Sequence, residues 1–256
     1  MMTQENIHKT DITQNLTQAN LHNLGSLWQT TSQQFDTYFE QEAVKFGYIT
    51  GSQWPNRVWT YQPFTPTLLK NIKQVAQQSK ESLVFSHFDQ SSSVADLSII
   101  NQGFEQKSIQ YGMSMSLSKP FSYEQPLTFT KVHNLADAER WSLVFKACFG
   151  YHISVETLQN SWNQISYALI WYKNEIVGTV ILYLTEKVAG IHSLGILPAM
   201  RGKGLATQAM YQVLNQAINS EATLATLQAS AMAKAMYEKI GFTQQFVMTN
   251  YQLKDI

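Results

Sequence analysis

Residues 191–206 read I-H-S-L-G-I-L-P-A-M-R-G-K-G-L-A, and the fold follows from how this stretch changes character along its length. An apolar strand from Val188 to Leu197 is ended by Pro198, and a short loop then carries Arg201, Gly202, Lys203 and Gly204. From Gly204 to Asn219 the residues Leu205, Ala209, Val213, Leu214, Ala217 and Ile218 form one stripe, as a helix packed on a sheet requires. A strand-to-helix turn aims several unpaired backbone N–H groups at one point, the helix dipole adds positive potential there, and glycine lets a ligand approach the main chain. Arg201 and Lys203 add charge, so the order predicts an anion site. The glycine pair alone would also serve a tight turn, so the surroundings must decide.

Working outward, Leu224 to Gln228 reads as the following strand, Ala231 to Ile240 as a helix and Gln244 to Leu253 as a last strand. Upstream, Phe129 to Val132 reads as a strand, and Ala136 to Phe149 and Val155 to Trp162 as helices. Tyr167 to Tyr172 and Ile176 to Leu184 flank Lys173-Asn174-Glu175, the composition of a hairpin.

The first half gives a plainer version of the same order. Arg57 to Tyr61 is a predicted strand, Thr65 to Gln78 a helix, Ser82 to His87 a strand, Val94 to Gln102 a helix and Ile109 to Leu117 a strand. Laying Gly103-Phe104 over Gly241-Phe242 aligns the halves at an offset of about 138 residues, which marks a duplicated unit. At the position of the glycine loop the first half reads P-F-T-P-T-L, Pro63 to Leu68, without glycine and with two prolines that remove N–H donors. The aromatic cluster Trp54, Trp59 and Tyr61 suits core packing or the wall of a cleft. Leu27 to Phe46 has near-helical apolar spacing, and residues 1–24, rich in Gln, Asn and Thr, read as a disordered leader. The expected division is therefore 1–24 leader, 25–120 degenerate half, and 127–256 complete half, with Pro120 and Pro126 bracketing the join.

With these elements in place, the complete half resembles the GNAT N-acetyltransferase superfamily. The family's acetyl-CoA loop has the form Arg/Gln-x-x-Gly-x-Gly/Ala after a strand, filled here by Arg201, Gly204 and Ala206, and Y-E-K-I-G-F at Tyr237 to Phe242 follows at the expected distance. The resemblance implies an α/β fold of tandem GNAT-like mixed β-sheet domains flanked by helices. It implies that the N–H groups of Gly202, Lys203, Gly204, Leu205 and Ala206 hold the pyrophosphate of acetyl-CoA as co-substrate. The strand at Leu194 to Ile196 would pair with the pantetheine arm as an added strand edge, and Gly195 would suit a local bulge. The main chain at Leu194 would stabilise the tetrahedral oxyanion, and Tyr237 would protonate the leaving thiolate. Ser230 stands where the family often has asparagine, a departure that weakens one cofactor contact. His192, two positions before Leu194 and by alternation on the same face, is the candidate base.

Composition narrows the rest. Hydrophobic residues at 44% support a real core, and 18 basic against 18 acidic residues with no basic run argue against nucleic acid as a partner. The single cysteine, Cys148, rules out an internal disulfide and a cysteine zinc cluster, reads as a small packed residue, and fits a reducing, cytoplasmic setting. No apolar stretch approaches the roughly 20 residues that span a bilayer, so neither membrane nor metal is expected. The predicted partner is a small-molecule or peptide amine acceptor, acetylated directly in a ternary complex. Two rival readings are a non-catalytic acyl-CoA-binding sensor, which would have no use for Tyr237 or His192, and a scaffold protein that binds no coenzyme A.

Overall fold

The computed structural model describes residues 4–89 and 96–254, with side chains described from residue 14. Helix α1 (Gln4–Gln33) leads into β1 (Tyr38–Gln41), β2 (Val44–Gly47) and β3 (Arg57–Trp59). These are followed by α2 (Pro66–Gln78), β4 (Val84–Asp89), α3 (Leu97–Ile100) and β5 (Phe104–Ser116). The second half contains β6 (Thr128–Lys131), α4 (Leu135–Phe149), α5 (Val155–Ser161), β7 (Ser166–Tyr172), β8 (Glu175–Thr185) and β9 (Val188–Ile196). It closes with α6 (Leu205–Asn219), β10 (Leu224–Ser230), α7 (Ala231–Ile240) and β11 (Thr243–Leu253).

All these strands join one mixed sheet in the order β1-β2-β3-β4-β11-β5-β10-β9-β8-β7-β6. The order is nearly palindromic about the β11–β5 pair: β3 and β4 are parallel neighbours, as are β9 and β10, and each pair is crossed over by a helix, α2 or α6. That symmetry is the structural form of the duplication. The two final strands have changed places, however. β5 ends the first half yet pairs with β10 of the second, and β11 ends the second half yet pairs with β4 of the first. Between them β11 and β5 form an antiparallel ladder from Thr243↔Ser114 to Leu253↔Phe104. The halves divided in the sequence near Pro120 to Pro126 therefore share their sheet.

Helices α1, α4 and α5 pack one face over Trp28, Trp141, Phe145, Tyr167 and Phe246. On the other face α6 and α7 cover a cluster containing Val213, Ile191 and Leu227, and α2 and α3 cover one built on Ile72, Phe85 and Tyr251. Each helix start has a local reason. Asn134 and Ser154 cap α4 and α5 by accepting from Asp137 N and Thr157 N, while Thr65 caps α2, which carries Pro66 in its first turn. Gly150, at φ 80°, ends α4 in the left-handed conformation.

Two expectations are corrected. Residues 4–24, read as a disordered leader, belong to α1; only residues 1–3 of that segment lie outside the described residues. Its apolar residues are few because buried amides take part of their place. Asn20 and Asn23, both 0% exposed, donate to Met113 O at 3.0 Å and to Tyr183 O at 3.1 Å, meeting the sheet with hydrogen bonds rather than packing alone. The helix read from Leu27 to Phe46 stops at Gln33, and Phe39 and Phe46 lie opposite each other in the β1–β2 hairpin with rings 5.0 Å apart. A cross-strand pair spaced seven residues apart mimics two helical turns. The helix predicted from Val94 is shorter, Leu97–Ile100, and Val94 and Ala95 lie outside the described residues.

Phe246 on β11 is fully buried, and a Cβ on Gly112 of β5 would run into its ring. Because β11 is shared, Phe246→Ala should lower stability by about 3–5 kcal/mol. The loss should appear as one transition, with circular dichroism and tryptophan fluorescence coincident in urea; separate transitions would show that the halves unfold independently.

Candidate functional site

Strand β9 leaves β10 early. The two are paired only from Leu224↔Val188 to Thr226↔Gly190, and β9 then continues to Ile196 with no β10 partner. The resulting gap opens toward the loop into α6. A turn at Pro198–Met200 leads to Arg201, and Gly202 and Gly204 adopt φ of 77° and 76°, a left-handed backbone that glycine accepts without strain. Nothing lies within 4 Å of a Cβ built on either glycine, and Arg201 to Gly204 are exposed. Gly204 is the N-cap of α6 and has no side chain with which to cap it. The N–H groups of Leu205, Ala206 and Thr207 therefore lack the partners that a helix start leaves missing. Among the described residues, those of Gly202, Lys203 and Gly204 donate to no backbone carbonyl either. The helix start is an open cluster of donors at the positive end of a 15-residue helix.

The basic residues of this loop do different work. Arg201 donates from Nε to Ile196 O and from Nη2 to Cys148 O, both at 3.0 Å, and so ties the end of β9 to α4. Its side chain braces the loop, while Lys203 is the exposed cation beside the donors, with Nζ 3.4 Å from Met200 Sδ. Cys148 lies against Gly195, where an added Cβ would come within 2.9 Å of it, and burial pushes its thiol up to about 11. It is a packing residue with no thiolate at neutral pH.

The strand geometry corrects one sequence argument. Ser193, at φ 51°, is the bulge residue, and the register with β8 shifts opposite it, between Thr179 and Ile181; Thr179 Oγ1 donates to Ser193 O at 3.1 Å. The bulge reverses the alternation. Leu194 packs into the cluster under α6 and α7, whereas His192 turns to the α1 face, so the two side chains do not share a face. Gly195 is not the bulge residue; its missing side chain admits Phe149 and Cys148 of α4.

His192 Nε2 lies 3.1 Å from Asn23 Oδ1. The amide nitrogen of Asn23 donates to Tyr183 O and to Thr185 Oγ1, so its oxygen is the acceptor and His192 Nε2 carries the proton. Nδ1 is then the basic nitrogen. Burial lowers the His192 pKa to about 4, with the Gln228 side chain acting in the opposite direction, so the ring is neutral through the physiological range. Gln228 itself donates to Asn20 Oδ1 at 2.7 Å. Asn20, Asn23 and Gln228 thus frame the closed end of the gap, a role the sequence reading missed. Its signal was the i, i+3 spacing of two amides in α1.

Tyr237, on α7, packs in the same cluster as Leu194 and Ile196, with its ring edge-on to Phe242 at 5.8 Å. Burial pushes its pKa up to about 12, which keeps the phenol protonated and able to donate. Ser230 ends β10 as the N-cap residue of α7; its exposed hydroxyl makes no capping bond. In the first half the corresponding helix start is closed: Thr65 Oγ1 already accepts from Leu68 N at 3.1 Å, and Pro63 and Pro66 have no N–H.

Residues 135–242 match the family model described as Acetyltransferase (GNAT) family. A comparison with curated protein sequences finds no significant match. Among solved structures, the chain resembles a GCN5-related N-acetyltransferase from Kribbella flavida at 16% identity and a TM-score of 0.66, covering 89% of this chain and 95% of that one. A functionally unknown conserved protein from Staphylococcus epidermidis matches at 18% identity and 0.64, over 86% and 94% of the two chains. A GCN5-related N-acetyltransferase from Sphaerobacter thermophilus matches at 16% and 0.59, over 83% and 78%. At these identities the likeness is one of fold, and it spans both halves. The segment that matches the acetyltransferase (GNAT) family model, residues 135–242, contains the strands that part after Gly190 and encloses the donor loop.

Proposed function

We propose that this chain transfers an acetyl group from acetyl-CoA to an amine, directly within a ternary complex, at the gap between β9 and β10. The observation that carries this reading is the contrast between the uncapped, glycine-started α6 and the capped, proline-started α2. Only the former offers main-chain donors to a pyrophosphate. The backbone from Gly202 to Ala206 would hold that group, with Lys203 and the hydroxyl of Ser230 near it, and the unpaired edge from Leu194 to Ile196 would take the pantetheine amides.

In the reaction the amine nitrogen forms a bond to the thioester carbon, the carbonyl becomes an oxyanion, and the C–S bond then breaks. The main-chain N–H at Leu194 would stabilise the oxyanion. Tyr237, protonated at neutral pH, would supply the proton to the departing sulfur. The amine must lose a proton, and neutral His192, its tautomer set by Asn23, presents Nδ1 as the acceptor. A sensor that merely binds acyl-CoA needs neither group.

Three measurements test the reading. Calorimetry should give one acetyl-CoA per chain. Gly204→Glu should weaken binding at least about a hundredfold, or about 2.7 kcal/mol, because it adds a side chain at φ 76° and a repelling charge, while Thr65→Glu leaves it nearly unchanged. Two sites per chain, or equal losses, would overturn the assignment. Tyr237→Phe should reduce kcat roughly ten- to a thousandfold with acetyl-CoA affinity preserved; unchanged turnover with chemistry limiting would make Tyr237 a packing residue and favour another acid.

The third concerns pH. His192 is depressed in the fold from 6.5 to about 4, so the unfolded chain binds the extra proton between those values. Stability from this group is present above 6.5 and is lost as pH falls toward 4. Urea midpoints measured over that range should fall less steeply in His192→Gln than in the parent protein; parallel curves would show that the ring is not buried neutral.

A further inference from the structure

Arg57 is a cation that the fold leaves without a counter-charge. It begins β3 on the face covered by α1, half-buried, with its guanidinium 5.4 Å from the Trp28 ring centre. Nη1 donates to Ser86 Oγ at 3.2 Å and to Asn250 Oδ1 at 2.6 Å, both neutral acceptors. Nε is buried without a hydrogen-bond partner, and Nη2 has none among the described residues. No described carboxylate pairs with Arg57; the ion pairs use Lys45, Lys107, Arg140 and Lys234. Arginine cannot shed its proton, and a charge withdrawn from water without an opposite charge is costly.

The free edge of the guanidinium has a definite shape. Nε and Nη2 lie side by side and form the fork that takes both oxygens of a carboxylate. Ser86 and Asn250 hold Nη1, so the fork points in one direction, and Asn250 is itself fixed by donating to Ser108 Oγ and Gln110 Oε1, each at 3.1 Å. Fixing the strand register would use Nη1 and nothing more.

A second donor stands beside the fork. Tyr151, between α4 and α5, is half-buried, and its hydroxyl makes no hydrogen bond among the described residues. Burial raises its pKa while Arg57 acts in the opposite direction, so the phenol stays protonated within reach of the guanidinium's field. The loop that carries it is seated on the first half: Gln53 N donates to His152 O at 2.8 Å, and His152 N to Gln53 Oε1 at 2.7 Å. Tyr151 also leads back to the gap. Its ring is 6.3 Å from that of Phe149, which is 38% exposed and fills the space beside Gly195 on β9. Arg57 thus lies on the sheet face to which His192 turns.

We infer that Arg57, with the Tyr151 hydroxyl, binds a carboxylate of the acetyl acceptor, so that the substrate class is an amine carrying a carboxylate. The inference rests on the acetyl-transfer reading of the gap, and it makes the first half part of the acceptor site.

The test uses the full chain and three amino acids, glycine, 4-aminobutanoate and 6-aminohexanoate, each beside its neutral amide. Calorimetry in the presence of coenzyme A reads binding, and thiol release from acetyl-CoA reads transfer. At least one acid should bind with Kd below about 1 mM and be acetylated with kcat/KM at least about tenfold above its amide. Arg57→Gln should bring that ratio close to one, through KM rather than kcat, with acetyl-CoA affinity unchanged. A purely structural role would lower acid and amide together and leave the ratio intact, which overturns the inference. If Arg57→Gln fails to fold, the acid–amide comparison in the parent protein and a several-fold fall of the ratio in Tyr151→Phe decide. Acids and amides acetylated equally, or no acid bound at about 10 mM, would remove Arg57 from the site and leave the transfer reading standing. Acids bound in preference to amides but never acetylated would instead sink the transfer reading and keep Arg57 as a carboxylate site.

Discussion

The ladder between β5 and β11 is the interaction on which the rest of the molecule depends. Backbone N–H and C=O groups cannot be buried unpaired, and here each half of the duplication satisfies the inner edge of its sheet with the other half's last strand. Neither half can close its sheet alone. The arrangement also leaves β9 and β10 held from opposite sides, β9 by β8 and β10 by β5, so the gap between them can persist without collapse into continuous pairing.

Helix α1 secures the join in a second way. Across the face beneath it runs a line of polar groups. Arg57 donates to Asn250 Oδ1 at 2.6 Å, Asn250 to Gln110 Oε1 at 3.1 Å, Gln110 to Gln228 O at 3.2 Å, and Gln228 to Asn20 at 2.7 Å. The line crosses from β3 in the first half to β10 in the second and ends beside His192. Arg57, with its guanidinium 5.4 Å from the Trp28 ring centre, is its cationic end. Buried polar networks of this kind contribute little net stability but penalise every register in which they are unpaired. The exchanged strands are thereby fixed in one alignment, and the side chains nearest the gap are fixed with them.

The halves differ in the first turn of one helix. A threonine that caps its own helix satisfies the donors internally, and a glycine that cannot cap leaves them for a ligand. In the second half α6 starts on a glycine that makes no side-chain cap. In the first half the corresponding place is a crevice walled in part by Tyr61, Phe64, Phe88 and Phe246.

Sequence alone determined the strand–loop–helix from Val188 to Asn219, the duplication and its altered loop, and the elements of the second half nearly residue for residue. Each rests on short-range rules: apolar periodicity, proline and glycine at strand and helix ends, and spacing along one chain. What escaped it depended on contacts far apart in the chain. Residues 4–24 looked too polar to fold because their partners, Met113, Tyr183 and Gln228, lie 93 to 208 positions away. The exchange of β5 and β11 leaves no local trace, since a strand reads the same whichever edge it joins. His192 and Leu194 were assigned one face by simple alternation, and only the bulge at Ser193, set by the register with β8, sends them to opposite sides. Local pattern fixes what an element is; which neighbour satisfies its buried polar groups is decided by the whole sheet, because that is where the backbone partners are.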